Sequence, residues 1–411
     1  MNTQQPLDLD FVRQQFPAAH WQWAFFDNAG GAFVPHTVIN RMTSYMTDTQ
    51  VQPGYPYPAS LDAAARMKLG QQLGAELIGA ETDEITIAAS TSINVYVLAQ
   101  ALRGLWQPGD EIIVSTLNHE ANSGSWRRLA EFGLKIVEWP VHPETAALDV
   151  SQLDRLLSKR TRLVAFPHVS NITGDINDVK TITALAHRAG ALVCVDGVAY
   201  APHRAVDVKD LDVDFYLFSF YKIFGPHLGC LYGKREHLLA AKGQHHYFIA
   251  EDDLAHKFNP AGPNHESIAA LVGITDYFEN LYSHHFSQPA PSFFARTRKV
   301  YELIAAHEQS LAKQFLDFID TKKEIQLIGT RSSDSKLRVP TFSFLVNTKK
   351  SSTIPPLLAL DKVAISSGHF YAKRLLDSLR LAESQVVRCS MAHYNTTQEV
   401  DQLICSLDKQ L

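Results

Sequence analysis

The chain has 411 residues, 45% of them hydrophobic and 20% charged, with a formal net charge of −5. That balance excludes a disordered chain, and it lacks the basic field that attracts nucleic acid, so no nucleic-acid partner is expected. The length exceeds one ordinary core and implies two units.

The opening residues, MNTQQPLDLDFVRQQF, show no basic stretch followed by an apolar one, so no signal peptide is expected. No run of about 18 apolar residues occurs, so no membrane span is expected and the default is a soluble cytoplasmic protein. Cys194, Cys230, Cys389 and Cys405 form no CxxC pair and no cluster with His at ligand spacing. They read as free thiols in a reducing compartment, with no metal site.

In chain order, AFFDN (24–28) reads as a strand, followed by helices over 35–49 and 60–79. The Pro/Gly stretch VQPGYPYPAS (51–60) between them reads as a loop carrying Tyr55 and Tyr57. Strands EITIAAS, EIIVST, KIVEWPV, TRLVAFP, ALVCVDG, DFYLFSF and GCLYGK follow, with helices over 92–105, 121–132 and 177–189 among them. Near-continuous apolar strands alternating with helices predict a parallel sheet covered on both faces. Beyond about residue 265 the texture changes. A long helix, PSFFARTRKVYELIAAHEQSLAKQFLDFI, precedes strands IQLIG, VPTFSFLV, VAISS and VVRCSM. This predicts a large domain over 21–265 and a smaller α+β domain made of 1–20 and 266–411.

Ligands of open α/β sheets sit outside the carboxyl ends of the strands. The residues found there have chemical character. Ser90 and Thr91 end one strand and open a helix, which offers hydroxyls, free N–H groups and a positive dipole end for a phosphate, or a plain N-cap. His119 and the Asn171 turn end two more strands. Asp196 closes ALVCV, where a carboxylate is costly unless it meets a cation or a proton donor. Ser219 and Lys222 follow DFYLF. Lysine among aromatic groups loses its charge easily, and the neutral amine is a nucleophile. A lysine, a carboxylate and a phosphate cup at neighbouring strand ends match the needs of pyridoxal 5′-phosphate (PLP).

The segments FDNAGGAFVP, STSIN, NHEANSGSW, HVSNITGDINDV, VCVDGVAYAPHRAVDVKDLDVDFYLFSFYKIFGPHLGCLYGK, GPNHE and VVRCSMAHYNTTQEVD run in this order along the chain. Together they resemble the class V aminotransferase superfamily of fold-type I PLP enzymes, in its cysteine desulfurase-like branch. The resemblance implies an α/β fold, with a large domain around a mostly parallel seven-stranded sheet and a smaller C-terminal α+β domain. It implies PLP as cofactor, an amino-acid substrate, and a homodimer with active sites near the interface. By position, Lys222 corresponds to the Schiff-base lysine and Asp196 to the partner of the pyridine nitrogen. His119 corresponds to the imidazole that stacks on the ring and helps move protons, and Asn171 to the amide near the phenolic oxygen. Ser90, Thr91, Ser219 and Tyr221 correspond to phosphate ligands. Gly262 corresponds to the residue reaching the partner subunit's phosphate. Arg388 corresponds to the guanidinium for the substrate carboxylate, with Asn28, His369 and Tyr371 near the substrate.

The chain departs from the desulfurase pattern where the reaction is decided. In desulfurases the stretch equivalent to SSGHFYAKRL carries the cysteine that takes the sulfur, and here that position is Tyr371. The arginine that usually precedes this loop is Ser366. The resemblance therefore implies a desulfurase-like lyase that eliminates a β-substituent from a sulfur-containing amino acid. A class V aminotransferase is the next reading and an epimerase the third. A non-catalytic scaffold is the reading from a different class. It leaves the joint presence of Lys222, Asp196, His119, Asn171 and Arg388 without a reason.

Overall fold

All seven strands from EITIAAS to GCLYGK join one sheet. The computed structural model describes residues 6–259 and 262–411. The strands are Ile85–Ala88 (β1), Glu111–Ser115 (β2), Lys135–Trp139 (β3), Thr161–Pro167 (β4), Leu192–Asp196 (β5), Phe215–Ser219 (β6) and Gly229–Gly233 (β7). Their spatial order is β1-β7-β6-β5-β4-β2-β3. Strand β7 runs antiparallel to both its neighbours, and the other pairs are parallel. Alternate residues face opposite ways, as the period of a strand requires. Val193, Val195, Tyr216 and Phe218 enter one core, while Cys194, Phe215 and Leu217 enter the other. Burial on both faces explains why these strands read as unbroken apolar runs.

The pairing register sets the site. Pro167 lies beside Asp196, Asp196 beside Leu217, and Ser219 beside Gly229. The ends of β4 and β5 are therefore level, β6 runs two residues further, and the residues that follow the three converge. Next to them, helix Thr91–Arg103 (α1) begins with Ser90 as its N-cap. Its first turn lies against β7 so closely that a Cβ on Gly229 would come within 2.3 Å of the Ser90 carbonyl carbon and the Thr91 nitrogen. Only glycine permits that approach.

The smaller sheet is antiparallel. It comprises Ile325–Ile328 (β8), Thr341–Val346 (β9), Ser366–Gly368 (β10) and Val386–Ser390 (β11), in the order β10-β11-β9-β8. An apolar seam joins the two units, with Leu117, Val141 and Ile172 packed among Ile328, Leu345, Leu375 and Val386.

Three details differ from the sequence reading. The expected helix over 121–132 is three short helical pieces, Glu120–Asn122, Gly124–Arg127 and Arg128–Phe132. VAISS divides: Val363–Ala364 pairs in parallel with Ala24–Phe25, and the rest forms β10. The division of the chain also moves. Helices His265–Ala270 and Val272–His285 bury Ile268, Ile274, Tyr277 and Phe278 in the core of the large sheet. The helix Phe293–Asp320 (α2) then spans both units, with Val300 and Ile304 in the first core and Leu311, Phe315 and Ile319 in the second. The N-terminal segment packs mainly on the large unit through Leu7, Val12 and Phe16, and Phe11 stacks on His284. Its tie to the small unit is the Arg13–Glu399 ion pair at 2.8 Å. The apolar faces decide this division, and the change in texture at 265 did not show which core those helices enter.

Candidate active site

A pocket opens at the carboxyl ends of β4, β5 and β6. Ser90, Thr91, His119, Asn171, Asp196, Ser219, Tyr221 and Lys222 all line it, together with Ser92, Val198 and Ala199. Residues drawn from five separate strand ends thus meet in one place.

Lys222 sits in the short helical turn Phe220–Lys222 that follows β6. It is only 9% exposed. Burial pushes its amine down to about 8, the nearby Arg388 pushes the same way, and Asp196 and Asp27 act against them. A lysine so placed yields its proton near neutral pH. Asp196 ends β5 and accepts a 2.9 Å hydrogen bond from the Val198 amide. Burial raises its carboxyl above the ordinary range, with Val198 and Lys222 opposing. Keeping this acid ionised calls for a further cation or donor in the pocket.

At the other end, Thr91 and Ser219 are bonded at 2.7 Å, and the Thr91 hydroxyl donates to the Phe218 carbonyl at 3.0 Å. Since the Thr91 proton is committed, Ser219 donates to Thr91. Ser90 Oγ accepts from the Ile93 amide at 3.2 Å. The amides of Thr91 and Ser92 lie in the first turn of α1, where no intrahelical acceptor exists, and they meet the positive end of the helix dipole.

His119 is the N-cap of the turn Glu120–Asn122, and its Nδ1 accepts from the Ala121 amide at 3.1 Å. That bond places the ring proton on Nε2. Burial, Lys222 and Arg388 hold the imidazole down to about 3, so it is neutral at physiological pH. Asn171 lines the pocket, and its side-chain amide donates to the Phe370 carbonyl at 2.9 Å.

Arg388 rises from the middle of β11 and is 3% exposed. Its Nη1 donates to the Asn171 carbonyl and its Nη2 to Asp27, each at 3.3 Å. The Nε is buried without a partner. The ring of Phe370 lies 3.7 Å from the guanidinium carbon. Asp27 also accepts from the Ser366 hydroxyl. Asp27 and Phe370 escaped the sequence reading, although each adjoins a residue that it singled out.

Two expectations change. Asn28 turns away from the site. Its amide donates to the carbonyls of Phe25 and Ser390 and to Asn395, and its oxygen accepts from Tyr394. It staples the chain crossover, and Asp27 is the residue that meets Arg388. His369 is exposed, with Nδ1 accepting from the Tyr371 amide at 3.1 Å, so it caps its own loop. Tyr371 is 68% exposed, its ring 5.3 Å from that of His119. Gly262 is exposed and borders a different cavity, with Gln52, Thr82, His246 and His265. Within one chain it does not reach Lys222. Tyr55 and Tyr57 lie exposed in the 51–57 loop.

The donor set fits PLP. The pocket supplies a deprotonatable lysine, a buried acid in want of a cation, and a cup of hydroxyls and amides. Those are the requirements of the aldehyde, the ring nitrogen and the phosphate. Fold and site together define a fold-type I PLP enzyme.

The comparisons extend this. A family model described as aminotransferase class-V matches residues 24–288 and 295–403. The chain is 39% identical over 97% of its length to the aminotransferase-like protein FGM3 of Gibberella zeae, covering 98% of that protein. It is 32% identical over 98% of its length to the cysteine desulfurase-like protein ustD of Aspergillus flavus, covering 90% of it. A crystal structure of the cysteine desulfurase CsdA from Escherichia coli superposes with a TM-score of 0.82 at 27% identity, over 98% of each chain. The chain belongs to the class V aminotransferase family and is a PLP-dependent enzyme acting on an amino acid. Among the described residues, no helix is long and apolar enough to cross a membrane.

Proposed function

We propose that the enzyme is a lyase of the cysteine desulfurase-like kind, which breaks a C–S bond by β-elimination and lets the sulfur leave uncaptured. One observation carries this reading: no thiol stands at the site. Cys194, Cys230 and Cys389 are buried, and burial raises each thiol well above its ordinary range. Cys405 is exposed on the outer helix Thr397–Asp408. The loop that would present a sulfur acceptor presents the phenol of Tyr371, which forms no persulfide.

Lys222, Asp196, Ser90, Thr91, Ser219 and Tyr221 hold the cofactor in this reading, and Arg388 takes the substrate carboxylate. When bound, PLP supplies an aldehyde for the substrate amine and an electron-withdrawing ring. The chain supplies the rest. Lys222 is the base for the Cα proton, its lowered basicity matching it to neutral pH. Asp196 keeps a negative charge at the floor of the pocket. Neutral His119 offers its Nε2 proton toward the leaving group. Arg388 fixes the carboxylate so that Cα and Lys222 stay aligned.

The aminotransferase-like relative supports a second reading, amino transfer to a keto acid. A screen of amino acids separates the two. Sulfide or pyruvate without added keto acid supports the lyase, and turnover that requires a keto acid overturns it.

A homodimer also belongs to the proposal. Tyr55, Tyr57, Tyr247 and Phe248 are exposed, the last two at 97% and 72%. A second copy over this face would bring Gly262 to the partner's phosphate. Light scattering that finds a monomer would refute it.

A further inference from the structure

The loop after β10 holds two successive non-glycine residues in the left-handed region, Phe370 at φ 47° and Tyr371 at φ 57°. Large side chains adopt that conformation only where their surroundings hold them there. Here the surroundings are specific. The Asn171 side chain donates to the Phe370 carbonyl at 2.9 Å, and the Glu120 amide donates to the Tyr371 carbonyl at 2.8 Å. The Tyr371 and Ala372 amides both return to His369, at 3.1 and 2.8 Å. What the turn delivers is the ring of Phe370, set against the guanidinium of Arg388 at 3.7 Å.

We propose that Phe370 is a positioning residue for Arg388, and that it sets the affinity for the substrate carboxylate. The inference rests on the reading of Arg388 as the carboxylate-binding group. The hydrogen bonds on Arg388 are poor restraints. Both measure 3.3 Å, at the long edge of the usual N–H···O range, and Nε has none among the described residues. The aromatic face is the contact that defines the guanidinium plane, and it does so without using any N–H that a carboxylate needs. Asn171 couples the two partners, since its carbonyl accepts from Arg388 while its side chain holds Phe370. A wall of the cofactor pocket therefore fixes both halves of the stacked pair.

The test uses the PLP-loaded enzyme with Phe370→Leu, Phe370→Tyr and Arg388→Ala. The Leu variant keeps the apolar bulk and removes the π face, so a loss that it shows is not one of packing. Two quantities are read: kcat and KM for the best amino acid of the screen, and the affinity for propionate by NMR titration. Propionate carries a carboxylate and no amine. Phe370→Leu is expected to raise KM and the propionate Kd by the same factor, roughly 3- to 10-fold, with kcat nearly unchanged. Phe370→Tyr is expected to restore both. If Phe370→Leu leaves both affinities unchanged while Arg388→Ala weakens them, Phe370 has no positioning role and the carboxylate reading stands. If Arg388→Ala weakens neither, the carboxylate reading itself falls, and the role of Phe370 with it.

Discussion

The two walls of the pocket are built differently. The lysine wall consists of Ser90, Asp196, Ser219 and Lys222, each within a few residues of a strand end in one sheet. Sheet register alone brings these groups together, and the cores on both faces hold them. The arginine wall is assembled from distant pieces. Asp27, Asn171, Ser366, Phe370 and Arg388 come from the N-terminal crossover, a loop of the large unit, and two strands and a loop of the small one. The first wall suits chemistry common to a whole family. In the proposed reading, the second is the wall that meets the substrate.

Substitutions can break that contrast. The largest effect is expected at Lys222. Lys222→Ala should lower turnover by at least about 10³-fold while the thermal midpoint of the folded chain stays close to that of the parent. Measurable turnover near the parent rate would remove Lys222 from the chemistry. At the other wall, Arg388→Ala should act on binding first, raising KM by roughly 10- to 100-fold through loss of a charge-assisted pair. A fall in kcat with KM unchanged would show that Arg388 has another task.

The pH dependence of cofactor capture sharpens the account of the lysine wall. Only the neutral amine attacks an aldehyde. Because burial brings Lys222 to about 8, the rate at which apoprotein takes up PLP should rise with pH up to about 8 and then level off. Stopped-flow absorbance reads this directly, and a rate still climbing between pH 9 and 10 would mean that the lysine is not desolvated. The smallest effect is expected from the thiols. Cys405→Ser should leave turnover and sulfide release within about twofold, since that side chain is exposed on an outer helix. A large loss of sulfide release in that variant would require a relay that the described structure does not provide.

The contrast also explains what was legible in the sequence. The central strands of the large sheet are apolar on both faces, so each stands out, and the groups at their ends follow at once. Lys222, Asp196, Ser90 and His119 were found in that way, and the pocket unites them. Asn28 was not correctly placed, because its role depends on which surface the chain crosses next. Asn28 has the composition of a ligand and is consumed in tying residues 25–28 to the segment 390–395. Phe370 gave no signal, since a lone aromatic residue in a loop has no periodicity. Its meaning comes from a left-handed turn and from a guanidinium 18 positions along the chain. Which core receives the helices beyond 265 was less legible for a related reason: amphipathic helices announce an apolar face without naming the core that receives it.

The central claim is that Lys222 carries the cofactor, and reduction with borohydride followed by peptide mapping tests it most directly. The account predicts a yellow protein that reduction bleaches, with the phosphopyridoxyl group on the peptide containing Lys222 and on no other lysine. A label elsewhere, or a protein that stays colourless when PLP is added, would contradict it.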